Sequence, residues 1–124
     1  MAAETNGAPA ADAGGKPEVT IETFAALDLR VGRVRAARPH PNADKLLLLE
    51  VDLGPSGDRQ VVAGIAGHYE PEALVGRTIV VVANLKPVRL RGEESRGMLL
   101  AASAGEQVVL LTTMESVPPG TPIS

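Results

Sequence analysis

The stretch QVVAGIAGHYEPEALVGRTIVVVANL, residues 60–85, decides the fold. Gln60–Ile65 reads as a strand. Pro71–Val75 reads as a short helical piece, opened by a proline that needs no N–H at that position and ended by Gly76. Thr78–Leu85 is apolar on both faces, which predicts a central strand. A strand, a single helical insert and a buried strand therefore follow within 26 residues. Short strands at this spacing argue for an all-β barrel or sandwich and against βαβ units.

Upstream, Leu46–Leu53 alternates. Leu47, Leu49, Val51 and Leu53 share one face while Glu50 and Asp52 share the other. Gly54–Asp58 is a hairpin loop leading into Gln60–Ile65. Leu29–Arg38 is a further strand, with Gly32 as a bulge or bend, and His40-Pro41-Asn42-Ala43-Asp44 is a turn. Thr20 or Thr23 can cap a helical turn through Leu27, with Phe24 and Leu27 on one face. Downstream, Lys86–Arg96 reads as a charged loop, Gly97–Ser103 and Gln107–Thr112 as strands about a Gly105 turn, and Val117–Pro122 as a Pro-rich end. Six short strands with a helix between the third and fourth predict an all-β domain. A five-stranded OB-type barrel with a flanking C-terminal strand fits best, and a small sandwich is the alternative.

Residues 1–20 are rich in Ala, Gly and Pro and nearly free of large apolar side chains, so they are expected to form a disordered tail before a domain spanning 21–124. No signal peptide or membrane span is apparent, and the absence of Cys excludes disulfides and thiolate chemistry. A cytoplasmic location is expected. The formal net charge is −3, so any nucleic-acid binding must use local clusters of cations. Phe24 and Tyr69 are the sole Phe and Tyr, and Trp is absent. That is too few aromatics for stacking a series of single-stranded bases.

Nothing is assembled for catalysis. His40 and His68 lack metal-ligand spacing, Ser95 has no nucleophile elbow, and Gly92 and Gly97 belong to no phosphate loop. No cofactor and no metal are expected. Cations fall into two groups: Arg30, Arg33, Arg35, Arg38 and Lys45, then Lys86, Arg89, Arg91 and Arg96. In an extended strand Arg33 and Arg35 point the same way, so two guanidinium forks can meet neighbouring phosphates. The plain alternative for both groups is solvated surface charge. The run Asn84-Leu85-Lys86-Pro87-Val88-Arg89-Leu90-Arg91 favours a backbone clamp, because it projects cations from the end of a rigid strand. Met98 is either core or a soft apolar surface under a base.

Several segments together resemble one family: His40-Pro41-Asn42-Ala43-Asp44-Lys45-Leu46, Gly64-Ile65, Tyr69, Val81-Val82-Ala83-Asn84-Leu85-Lys86-Pro87, and Ser95 through Gly97-Met98 to Leu100-Ala101-Ala102. In this order they resemble the tRNA-binding domain found at the C-terminus of many bacterial methionyl-tRNA synthetases, also found as a stand-alone homodimeric protein. The resemblance covers roughly Ile21 to Ile123. It implies an OB-fold that binds tRNA by shape, non-catalytically, either as a detached C-terminal domain or as an accessory (beta) subunit beside a separate catalytic synthetase chain. Carried over by position, it points to Lys45, Asn84, Lys86, Arg89, Ser95 and Met98. Arg33, Arg35 and Arg91 rest on charge and geometry. Arg96 stands where an uncharged residue is common, and either adds a phosphate contact or pairs with Glu93 or Glu94. A homodimer is implied, using the turn around Phe24 and the strand near Val108–Leu111. The competing reading is a chaperone-like peptide-binding module on the same barrel.

Overall fold

Strand alternation builds the interior. Leu47, Leu49, Val51 and Leu53 are each at most 2% exposed. They meet Val34, Val61, Ala63, Ile79, Val81 and Leu99 in one core cluster. The computed structural model describes residues 15–124. In chain order the elements are α1 (Ile21–Ala25), β1 (Leu29–Pro39), β2 (Leu47–Asp52), β3 (Asp58–Ala63), α2 (Pro71–Leu74), β4 (Thr78–Val82), β5 (Val88–Leu90), β6 (Glu93–Ser95), β7 (Met98–Leu99), β8 (Ala101–Ala104), β9 (Gln107–Leu110) and β10 (Pro122–Ile123).

The long β1 organises the barrel. Its first half pairs with β4 and its second half with β2, both antiparallel. The sheet runs β3-β2-β1-β4-β7, and β10 adds to the start of β1. The segment after β6 then returns to β3. The Arg96 N–H donates to Gln60 O at 2.8 Å and the Val62 N–H to Ser95 Oγ at 2.9 Å. These bonds nearly close a five-stranded antiparallel barrel with an OB-type order, as the sequence pattern implied. The α2 insert covers one end with Leu74, which is 1% exposed. The Leu110 N–H donates to the Tyr69 hydroxyl at 3.1 Å, tying β9 to the chain before that insert.

Three expectations need correcting. The bulge lies at Arg35, where the β1–β2 register shifts between Val34 and Ala36. Gly32 stays in register opposite Ile79. It is small for a different reason: a Cβ there would lie 2.5 Å from Val51 Cγ1. The Gly54–Asp58 hairpin loop joins β2 to β3 as expected, and it contains a 3₁₀ turn, Gly54–Ser56. Lys86–Arg96 is the β5–β6 hairpin rather than a loop. Gly97–Ser103 splits at Leu100, because β7 pairs with β4 whereas β8 pairs with β9.

Thr20 is the N-cap of α1, its Oγ1 accepting from the Thr23 N–H at 3.2 Å. Within the expected tail, residues 1–14 lie outside the described residues, and 15–20 are exposed without helix or strand.

Candidate nucleic-acid interface

Alternation along the β5–β6 hairpin separates its faces. Val88 and Leu90, with Leu85 and Met98, line an apolar hollow of about 440 Å³ against β3, and Lys86 stands at its rim. Arg89 lies opposite Glu94. The hairpin turn is Arg91-Gly92, with φ of 53° and 93°. Positive φ at both central positions is the two-residue arrangement that matches strand twist, usually supplied by Asn-Gly or Asp-Gly. Arg91 holds this left-handed conformation despite its Cβ.

The cations differ in what they touch. Arg35 donates from Nε to Asp58 at 3.0 Å and from Nη2 to Asp52 at 3.4 Å. Arg30 is held by Asp28 at 2.7 Å. Among the described residues, Lys86, Arg89, Arg91 and Arg96 make no ion pair with a carboxylate, and all four are exposed. Arg96 therefore pairs with neither Glu93 nor Glu94. Glu93 instead accepts from Gln60 Nε2 at 3.3 Å. Lys45 and Arg91, distant in sequence, line one further hollow of about 400 Å³ with Asn42 and Asp44.

The sequence-derived candidates do not all converge. Lys45, Lys86, Arg89, Arg91, Arg96 and Met98 lie on or beside the hairpin. Met98 is 49% exposed and lines the apolar hollow, so it is surface rather than core. Arg33 and Arg35 lie elsewhere. From Arg33 to the turn at His40 is roughly 20 Å of extended strand. The two share the outward side of β1, as expected, with Val34 buried between them; the bulge interrupts the alternation only after Arg35.

Ser95 is 3% exposed, and both its hydrogen-bonding roles are occupied: it accepts from Val62 and donates to Gly97 O at 3.0 Å. Asn84 bridges α1 to the end of β4. Its Oδ1 accepts from the Asp28 N–H at 2.9 Å and its Nδ2 donates to Ala26 O at 2.8 Å. In this geometry both side chains serve the scaffold.

Residues 29–122 match the sequence family described as "Putative tRNA binding domain". The chain belongs to the tRNA-binding domain family. Curated relatives of this domain include the methionine–tRNA ligase of Thermotoga maritima, 54% identical over 106 residues, covering 86% of this chain and 17% of the ligase. The ligase of Bacillus subtilis is 51% identical over 107 residues, covering 86% and 16%. The chain thus spans less than a fifth of the length of these relatives. Among solved structures, the chaperone CsaA of Bacillus anthracis superposes with a TM-score of 0.80 at 38% identity, over 87% of this chain and all of that one. A MetRS-related protein of Pyrococcus horikoshii gives 0.81 at 34% identity, over 88% and 100%.

Sequence reasoning missed His40, treated as an ordinary loop histidine. It is 5% exposed and joins the 40–46 turn to β5. Its neighbours Arg38, Pro39, Pro41 and Asn42 give no sign of burial, and its partner lies 50 residues away.

Proposed function

We propose that this tRNA-binding domain grips tRNA without catalysis, through the face bearing the β5–β6 hairpin. The observation that carries the reading is the set of exposed cations without carboxylate partners around that hairpin: Lys86, Arg89, Arg91 and Arg96, with Lys45 beside them. Cations already paired with carboxylates, as Arg35 is, gain less from phosphate. Proteins recognise A-form RNA mainly through phosphates, 2′-hydroxyls and shape, so a rigid array of cations suits a folded RNA. Met98 and the apolar hollow beside it offer a surface for an unstacked base. Ser95 and Asn84 maintain the shape of the site.

Similarity to methionine–tRNA ligases supports a role beside a synthetase catalytic chain, as a C-terminal domain or accessory subunit in the cytoplasm. A homodimer is part of the proposal. Helix α1 buries none of its residues, and Phe24 (41% exposed), Leu27, Val109 and Leu111 present apolar surface that a second copy would cover. Substituting Lys86→Ala and Arg89→Ala should each weaken tRNA binding and flatten its salt dependence without unfolding the barrel. Affinities and salt slopes that match the wild type would remove the hairpin from the site.

A second reading, peptide binding, is favoured by the apolar hollow under the hairpin and by the structural likeness to chaperone CsaA. Under that reading Met98→Asp would abolish peptide capture, while Arg89→Ala would leave it intact.

A further inference from the structure

We infer that His40 is a positioning residue for RNA binding, a buried strut that sets Lys45 and Arg91 at a fixed separation as two arms of one phosphate clamp. The inference rests on the tRNA reading above. The imidazole Nδ1 accepts the Asn42 N–H at 2.9 Å, and Nε2 lies 2.9 Å from Leu90 O. With Nδ1 occupied as an acceptor, the ring proton sits on Nε2 and is donated to that carbonyl. The His40 N–H in turn donates to Leu46 O at 3.1 Å, closing the 40–46 turn. Leu46 follows Lys45 directly, and Leu90 precedes Arg91 directly. The ring therefore holds the chain beside Arg91, and the His40 backbone holds it beside Lys45 within the turn that the ring also braces at Asn42.

Two further observations give the strut its consequence. The β5 strand of the hairpin is otherwise lightly held: it pairs with β6 alone, over three residue pairs, and its Val88 and Leu90 are 51% and 37% exposed. Among the described residues, the hydrogen bond from β5 to the barrel is the one His40 makes, whereas β6 is held to β3 by Gln60 at Glu94 O, 2.8 Å, and by Ser95 at the Val62 N–H. Second, Arg91 sits in left-handed backbone at φ 53° at the tip of this hairpin. Strain kept at such a position points to a side chain retained for where it reaches. Lys45 and Arg91 line a common hollow, with Asp44 as the carboxylate at its rim, leaving a surplus of one positive charge. Lys45 is itself anchored through its carbonyl, which accepts the Ala66 N–H at 3.3 Å.

The test uses two partial isosteres of His40 in the full chain. In His40→Asn the amide oxygen can take the place of Nδ1 and keep the turn, while the link to Leu90 is lost. In His40→Gln the amide nitrogen can take the place of Nε2 and keep that link. Binding of total tRNA is measured across a salt series, and hydrogen exchange is followed at the amides of residues 88–95. His40→Asn should speed exchange across the hairpin and lower the salt slope by about 1 to 2, since each phosphate contact contributes roughly 0.9. Adding Lys45→Ala to His40→Asn should then weaken binding less than twofold further. His40→Gln should retain most of the wild-type slope.

A role confined to stability would lower the melting temperature of both variants but leave the slope of the folded protein alone. A wild-type slope in His40→Asn, or unchanged hairpin exchange, overturns the inference. A wild-type chain that fails to bind tRNA overturns the functional reading and the positioning role with it. That failure is distinguished from the first by the absence of any slope to lose.

Discussion

Replacing Arg91 with Asn should make the domain more stable and a weaker binder of tRNA, and both effects can be sized from the geometry. At φ 53° the Arg91 Cβ crowds the following carbonyl. Left-handed backbone costs an L-residue about 1–2 kcal/mol, and Asn escapes part of this through its short polar side chain. A gain of about 0.5–1 kcal/mol is expected, and at ~4–8 °C per kcal/mol for a domain of this size the melting temperature should rise by roughly 2–8 °C. The same substitution removes one of the exposed cations without a carboxylate partner. If Arg91 contacts one phosphate, the slope of log K against log salt falls by about 0.9, so the affinity penalty should be about 3.5 times larger at ~50 mM than at ~200 mM salt. Thermal unfolding followed by circular dichroism and anisotropy titrations at both salt concentrations would measure the two effects. A stabilised variant with an unaltered slope would remove Arg91 from the interface. A destabilised one would refute the argument that its backbone is strained.

Other substitutions separate scaffold from interface. Ser95→Ala leaves the buried Val62 N–H and Gly97 O without their partner, a loss of about 1–3 kcal/mol. The melting temperature should fall while the folded protein keeps its salt slope; a lost slope with normal stability would return Ser95 to the binding surface. Gly32→Ala drives a Cβ to 2.5 Å from Val51 Cγ1, a side chain with 0% exposure. Overpacking of this kind costs about 1–3 kcal/mol, and denaturant unfolding would detect it. Arg35→Ala should change tRNA affinity less than twofold, because its guanidinium is engaged by Asp52 and Asp58; a larger loss in a titration would show that it exchanges those partners for phosphate.

The sequence reveals the barrel wherever side-chain burial leaves a periodic mark. Leu47, Leu49, Val51 and Leu53 alternate because one face of β2 is core and the other meets solvent or polar neighbours. The apolar run from Ile79 to Val82 is unbroken because β4 is buried on both faces, with Ile79 and Val81 in the core and Val80 and Val82 covered on the other side. The β5–β6 hairpin escapes this reading. Its strands have three residues each, and Val88 and Leu90 remain substantially exposed. Its Arg91-Gly92 turn also lacks the Asn or Asp that usually marks such a hairpin. Gly32 misleads in the opposite sense, since a glycine required for close packing looks in sequence like one required for a bulge.

Among the candidate site residues, clustering of Lys86, Arg89, Arg91 and Arg96 was legible from their spacing. Which polar groups were already committed was not. Ser95 and Asn84 lie amid the basic run, yet their bonds reach Val62, Asp28 and Ala26, distant in sequence. The Asp52 and Asp58 carboxylates that occupy Arg35 lie 17 and 23 residues beyond it, on β2 and β3. Such pairings depend on register across the barrel, which charge patterning alone does not encode.

The central claim is that a rigid array of cations on this barrel recognises folded RNA by its shape. The most direct measurement is fluorescence anisotropy of labelled total tRNA against an unstructured RNA of equal length, at two salt concentrations. Tighter binding of tRNA, weakening as salt rises, is the predicted result. Equal affinity for both RNAs, or none for either, would contradict it and leave peptide binding as the better account of the hollow beneath the hairpin.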